Sequence, residues 1–242
     1  MLGVLRILLG PALLWQGARV RRNILRLPEP EGARTGGTGP LRVLILGDSA
    51  AAGVGVDRQV DALSGCVMRA MSPIEFRWQV EAQTGWTAED GLTAVDNLGD
   101  HTFDAAIILL GVNNITTETG IKPWLATYAQ ILDRLRNRHG VARFYLCGMP
   151  PMGSFPALPQ PLRWYLGLQS NAHDQALGVF AQGHPDAQHV RVESDLPRSA
   201  AATDGFHPGP LVYAELGENF AAALRADVEA GVFVRDNTAA DS

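Results

Sequence analysis

A serine, a histidine and an acid in this sequence each stand beside local breakers that would present them for nucleophilic catalysis. Ser49 closes the turn Gly47-Asp48-Ser49, directly after the apolar run Leu41–Leu46. Such a run reads as a strand buried on both faces, and open α/β sheets place ligands at the carboxyl ends of such strands. Near the far end of the chain, Asp204-Gly205-Phe206-His207-Pro208 puts an acid three residues before a histidine. Gly205 and Pro208 oppose helix, so one loop can present both side chains. His207 could take the proton of Ser49, and Asp204 could fix the imidazole tautomer and stabilise its cation. The bland alternative is a turn and a solvated loop histidine.

Acyl transfer also needs donors for a developing oxyanion. Gly111-Val112-Asn113-Asn114 follows a second apolar strand, Asp104–Leu110. It therefore falls at the same sheet edge as Ser49, where the Asn113 amide could donate, although asparagine also suits a plain turn. Gly85, after the alternating strand Phe76–Ala82, could add a backbone N–H, and its missing Cβ permits close approach. His101, His139, His173, His184 and His189 read as solvated side chains, and none falls in a zinc-like HExxH spacing.

Alternation of strands and helices must position these groups. Helices are expected over Val56–Ser72, from an N-cap at Thr87 to about Leu98, and over Trp124–Arg138, Tyr165–Gln182 and Leu211–Ala230. Further strands are expected over Arg143–Cys147 and His189–Val192. Met149–Arg163, with five prolines, cannot be regular helix. The pattern predicts one α/β domain with a mostly parallel sheet and helices on both faces. A chain of 242 residues with 46% hydrophobic residues can bury its core, and a net charge of −5 gives no reason to expect nucleic acid. Cys66 and Cys147 do not match a zinc site and read as two buried free thiols.

The chain divides into an apolar and basic N-terminal segment with linker (1–40), a catalytic domain (41–232) and a flexible tail (233–242). Leu2–Trp15 is leucine-rich but broken by Arg6 and Pro11, and Arg19, Arg21 and Arg22 follow it. It is too short for the roughly 20 apolar residues of a membrane span, and it lacks the order of a cleavable signal. Three readings remain: a helix packed on the domain, an interfacial helix in peripheral contact with a membrane, or an uncleaved anchor. They favour a cytoplasmic or membrane-associated protein over a secreted one. Glu29–Pro40 reads as a linker, and residues 1–36 as dispensable for chemistry.

Gly47-Asp48-Ser49, Gly85, Gly111–Asn114 and Asp204–His207 together resemble the four sequence blocks of the SGNH (GDSL-like) hydrolases, over about Leu41 to Ala230. The resemblance implies a flavodoxin-like three-layer α/β/α sandwich that hydrolyses small-molecule carboxylic esters through an acyl-enzyme, without cofactor or metal. It makes Ser49 the nucleophile, His207 the base and Asp204 its orienting partner, with an oxyanion hole of Ser49 N–H, Gly85 N–H and Asn113. In the third block the family usually has Asp where this chain has Asn114, of the same shape without the charge, so Asn114→Asp should be tolerated. A carbohydrate deacetylase, a lysophospholipase-type lipase and a non-catalytic binding module are the alternatives. Ala51 breaks the Gly-x-Ser-x-Gly elbow of ordinary α/β-hydrolases. The proline-rich segment should overhang the site, with Phe155, Leu158, Leu162 and Trp164 favouring an apolar acyl group.

Overall fold

A computed structural model describes residues 2–192 and 197–233. The tail expected beyond residue 233 lies outside them. Helix α1 (Leu2–Asn23) is followed by strand β1 (Thr35–Gly37), then β2 (Leu41–Gly47), the one-turn α2 (Ser49–Ala52), α3 (Leu63–Met71) and β3 (Phe76–Ala82). Next come α4 (Ala88–Asp96), β4 (Ala105–Leu109), the short α5 (Val112–Thr116) and α6 (Ile121–His139). β5 (Arg143–Cys147), α7 (Leu162–Gln182), β6 (Ala187–Val190) and α8 (Pro210–Glu229) complete the chain. The sheet order is β1-β3-β2-β4-β5-β6, with β1 antiparallel to β3 and every other pair parallel. Without β1 this is the flavodoxin-like order, whose ligand crevice opens where the winding reverses, here between β2 and β4. The fold is α/β, with a mostly parallel sheet between two helical layers.

Strand residues alternate between the two layers, as the two-residue period of a strand requires. Leu44, Leu46, Ala106, Ile108, Phe144 and Leu146 pack into one core with α4, α6 and α7. Val43, Ile45, Ala105, Ile107, Tyr145 and Cys147 pack into the other with α3 and α8. The second layer is tight because Gly217 of α8 lies against α3, where an added Cβ would stand 2.5 Å from that of Cys66. Polar groups close the same layer: Arg143 Nε and Tyr145 Oη both donate to Asp227 of α8, at 2.7 and 2.6 Å. Cys66 and Cys147 are buried and free, as expected.

Most elements fall where the pattern put them, and the departures have local causes. The helix expected from Val56 begins only at Leu63, after a short 3₁₀ turn at Gln59–Asp61. The backbone before it is engaged elsewhere: Glu31 N–H donates to Asp57 O and Gln59 N–H to Glu31 O, at 2.9 and 2.8 Å. The same bonds show that Glu29–Pro40 is not a free linker. Its Thr35–Gly37 forms the antiparallel edge strand, where Gly36 lets the Trp78 ring lie beneath the backbone. The last strand sits two residues earlier than expected, at Ala187–Val190, in register with Phe144–Cys147.

Helix α1 packs on the domain. Leu9, Leu13 and Val20 meet the α6–α7 core, while Gln16 donates to Gln160 O and accepts from Leu162 N–H, at 2.7 and 3.0 Å. Among the described residues no helix is long and apolar enough to cross a membrane.

Candidate active site

Ser49 is held by a turn that only a close approach permits. At Gly47 an added Cβ would come within 2.6 Å of Leu109 O and 2.5 Å of the Ala51 Cβ, so glycine is required at the strand end. Asp48 N–H donates to Leu109 O at 3.1 Å, which ties the turn to β4. Asp48 then caps α2, its Oδ1 accepting from Ala50 N–H at 3.0 Å. Ser49 is thereby fixed as the first residue of that helical turn, largely buried, at the carboxyl edge of the sheet.

The loop before α8 brings its two side chains to this serine. His207 Nε2 lies 3.0 Å from Ser49 Oγ, and His207 Nδ1 lies 2.5 Å from Asp204 Oδ2. Asp204 Oδ1 accepts from the backbone N–H groups of Phe206 and His207, at 2.9 and 3.0 Å, and Gly205 takes the left-handed φ of 67° that this tight turn requires. Burial opposes the charge of Asp204. The bonds from the His207 side chain and from the two backbone N–H groups outweigh it and hold the carboxyl below its ordinary range. An ionised Asp204 accepts the Nδ1 proton, which leaves the Nε2 lone pair facing the serine hydroxyl. The structure therefore brings Ser49, His207 and Asp204 together.

The other two sequence-derived candidates lie beside this line. Asn113 Nδ2 donates to Trp86 O at 2.9 Å and lies 3.4 Å from Asp48 Oδ2, so its amide is aimed at the turn that carries Ser49. Gly85, one residue before Trp86, has φ 91°, with open space where a Cβ would stand. Its value is therefore the left-handed backbone, not relief of a clash. The turn is clamped by Glu29, whose Oε1 accepts from Thr84 N–H and Oγ1 at 3.1 and 3.0 Å. Glu29 thus braces the turn that holds Gly85, a bond that removal of residues 1–36 would take away.

Asn114 is completely buried and does what an aspartate could not. Its Oδ1 accepts from Ala88 N–H at 2.9 Å, and its Nδ2 donates to Glu89 Oε2 at 2.8 Å. Burial opposes the Glu89 charge, but its own backbone N–H, Asn114, Thr87 and Thr127 hold its carboxyl below the usual range. An aspartate at 114 would face that carboxylate, so Asn114→Asp is expected to cost stability.

Asp48 is the residue that sequence reading passed over as a mere turn former. Burial pushes its carboxyl up to about 7, against the opposing bond from Ala50 N–H. The signal was the acid itself, placed between a buried strand and a candidate nucleophile.

Above Ser49 and His207 opens a cleft of about 140 Å³, lined mainly by apolar groups that include Met149, Phe155, Val192, Phe206 and Leu216. The proline-rich segment overhangs it, but through different residues than expected. Phe155 packs edge-on to Phe206 at 5.2 Å, with Pro150, Pro151 and Pro156 beside it, and Ala157 N–H donates to Gly205 O at 3.1 Å. Leu158 and Leu162 instead enter the core, and Trp164 points to solvent. His101 is exposed as expected, but four other histidines differ from expectation. His139 and His173 are buried and hydrogen-bonded to the His101 and Gln169 carbonyls, and His184 bonds Phe180 O. His189 Nε2 lies 2.9 Å from Asp174 Oδ1, which also accepts from Met149 N–H at 2.9 Å and so fixes one wall of the cleft.

A flavodoxin-like sheet with an apolar cleft at its switch point houses, in this chain, a carboxylic ester hydrolase. The model of the GDSL-like Lipase/Acylhydrolase family matches residues 45–215, and the chain belongs to that family. It is 30% identical over 223 residues to the GDSL-like esterase Rv1075c of Mycobacterium tuberculosis, across 82% of this chain and 69% of that protein. Among solved structures it is similar to TesA (20% identity, TM-score 0.60, 76% of this chain and 98% of that one). It is also similar to a family 3 carbohydrate esterase of Clostridium thermocellum (13% identity, TM-score 0.64, 79% of this chain and 98% of that one). The last two likenesses are of fold.

Two stability measurements follow from the buried polar groups. Asn114→Asp removes a donor from Glu89 and sets two carboxylates together, so it should cost about 1–3 kcal/mol at neutral pH. Adding Glu89→Gln should restore much of that, and a thermal melt of Asn114→Asp indistinguishable from wild type would contradict the arrangement. For Asp48, the folded carboxyl keeps its proton up to about pH 7, whereas the unfolded chain releases it from 3.8 upward. Its contribution to stability is therefore complete below pH 3.8 and is lost as pH rises through about 7. In urea unfolding, wild type should lose stability relative to Asp48→Asn across that window. A difference independent of pH would show that the acid is not held neutral.

Proposed function

We propose that this esterase cleaves esters of apolar acids through an acyl-enzyme formed on Ser49. The observation that carries the reading is the continuous hydrogen-bonded line Ser49–His207–Asp204 at the floor of an apolar cleft. His207 Nε2 takes the hydroxyl proton as Ser49 Oγ bonds to the ester carbonyl carbon, and Asp204 stabilises the imidazolium that forms. The negative carbonyl oxygen is held by Ser49 N–H, Gly85 N–H and the Asn113 amide. His207 then passes its proton to the leaving alkoxide, which departs as the alcohol. Water repeats the sequence on the acyl-serine, releases the acid and returns the proton to Ser49.

The cleft supports an apolar acid more than a sugar acetate. Its about 140 Å³ is close to the roughly 150 Å³ of an apolar protein cavity that admits benzene. A short or medium acyl chain, or an aryl group, suits such a space. Carbohydrate deacetylation remains the second reading, because one structural relative is a family 3 carbohydrate esterase.

A panel of p-nitrophenyl esters from acetyl to palmitoyl, beside an acetylated sugar, separates the two. Highest kcat/KM on short to medium acyl esters is the expected result, and preference for the acetylated sugar would reverse the assignment. On the best ester, Asn113→Ala should lower kcat by roughly 10²–10³ with KM nearly unchanged, as loss of one oxyanion donor does. Wild-type kcat in that variant would remove Asn113 from the oxyanion hole.

A further inference from the structure

Helix α1 presents two faces of different chemistry. Leu9, Leu13, Gln16 and Val20 form a single stripe at helical spacing, and that stripe is spent on the domain. On the opposite face Leu14 and Trp15 are 70% and 58% exposed, and Leu25 just beyond the helix is 56% exposed. Arg19 lies over the Trp15 ring at 5.5 Å. Arg21 and Arg22 follow it, donating only to the backbone carbonyls of Thr116 and Ala18. Five arginines and no acid precede Glu29, in a chain of net charge −5, so the remainder carries −10. Arg19, Arg21 and Arg22 make no ion pair among the described residues, although acids are plentiful on the rest of the molecule.

The place of this helix matters as much as its charge. Gln16 is bonded at Gln160 and Leu162, and Arg21 at Thr116. Gln160 lies in the proline-rich segment after β5, Leu162 opens α7, and Thr116 closes α5, which follows β4, so these contacts lie beyond the carboxyl ends of the strands. Trp164, two residues past the Gln16 contact, is 43% exposed. Tryptophan and arginine beside aliphatic residues are the set that settles at the headgroup level of a bilayer.

We propose that the outer face of α1, with Leu25 and Trp164, docks the protein on an anionic lipid surface. Charge complementarity commits the proposal to that occupant. A second copy would bring Arg19, Arg21 and Arg22, which make no ion pair among the described residues, to a symmetric contact, whereas anionic headgroups neutralise them while Leu14 and Trp15 leave water.

The test uses the full chain, sedimented with vesicles of phosphatidylcholine alone or mixed with phosphatidylglycerol. Binding to the mixed vesicles only, and its loss in high salt, is the expected result. Arg19→Ala and Arg22→Ala should each weaken it about fivefold. Leu14→Ser with Trp15→Ser should weaken it further without shifting the thermal melt. Failure to bind either vesicle, or equal binding to both, overturns the proposal. So does self-association by analytical ultracentrifugation that the Leu14 and Trp15 changes abolish while vesicle binding is absent, because the partner would then be a second copy.

Discussion

The junction of β2 with α2 is the constraint on which the other features depend. The chain must leave a fully buried strand and begin a helix within one residue, against a neighbouring strand that leaves no room for a Cβ at Gly47. Three orphan demands meet there and are met locally. Asp48 N–H is spent on β4, the Asp48 carboxyl Oδ1 caps Ala50, and Gly53 and Val54 both donate to Ser49 O to end the turn. The backbone of Ser49 is thereby fixed by bonds local to this junction and to β4. The hydrogen bond from a histidine 158 residues away closes a geometry that the junction already defines. A buried acid is the cost, since the cap that orders the turn is a carboxyl taken out of water.

How far this was legible depends on the reach of each interaction. Phe76–Ala82 and Arg143–Cys147 could be bounded to the residue because alternation and apolar runs are properties of the strand itself. Ser49, Asp204 and His207 could be named for a similar reason: each sits next to the breaker that exposes it. β1 could not, because two of its three residues are glycines, which strands disfavour, and its pairing with β3 is set by tertiary placement, with the Trp78 ring against Gly36. The exchange of Asp for Asn at 114 was visible, but its meaning rests on Glu89, which tertiary packing alone brings within reach. Leu158 and Leu162 were read as cleft residues because a proline-rich segment has no period from which an inward face could be read.

The two ends of the chain's chemistry also explain each other. An apolar cleft demands that its loops be tied from outside, since its lining can offer few hydrogen bonds of its own. Those ties come from Asp174 on the Met149 turn, from Gly205 on the proline-rich loop and from Glu29 on the Gly85 turn. The family makes ester hydrolysis the chemistry of this chain, and the apolar lining of the cleft is the ground on which an apolar acid is proposed.

The central claim is that Ser49 is the attacking group and that His207 activates it. Labelling the intact protein with a fluorophosphonate and mapping the modified peptide by mass spectrometry tests this most directly. The account predicts one adduct, on Ser49, absent in Ser49→Ala and formed far more slowly in His207→Ala. An adduct that persists in Ser49→Ala, on this peptide or another, would contradict it.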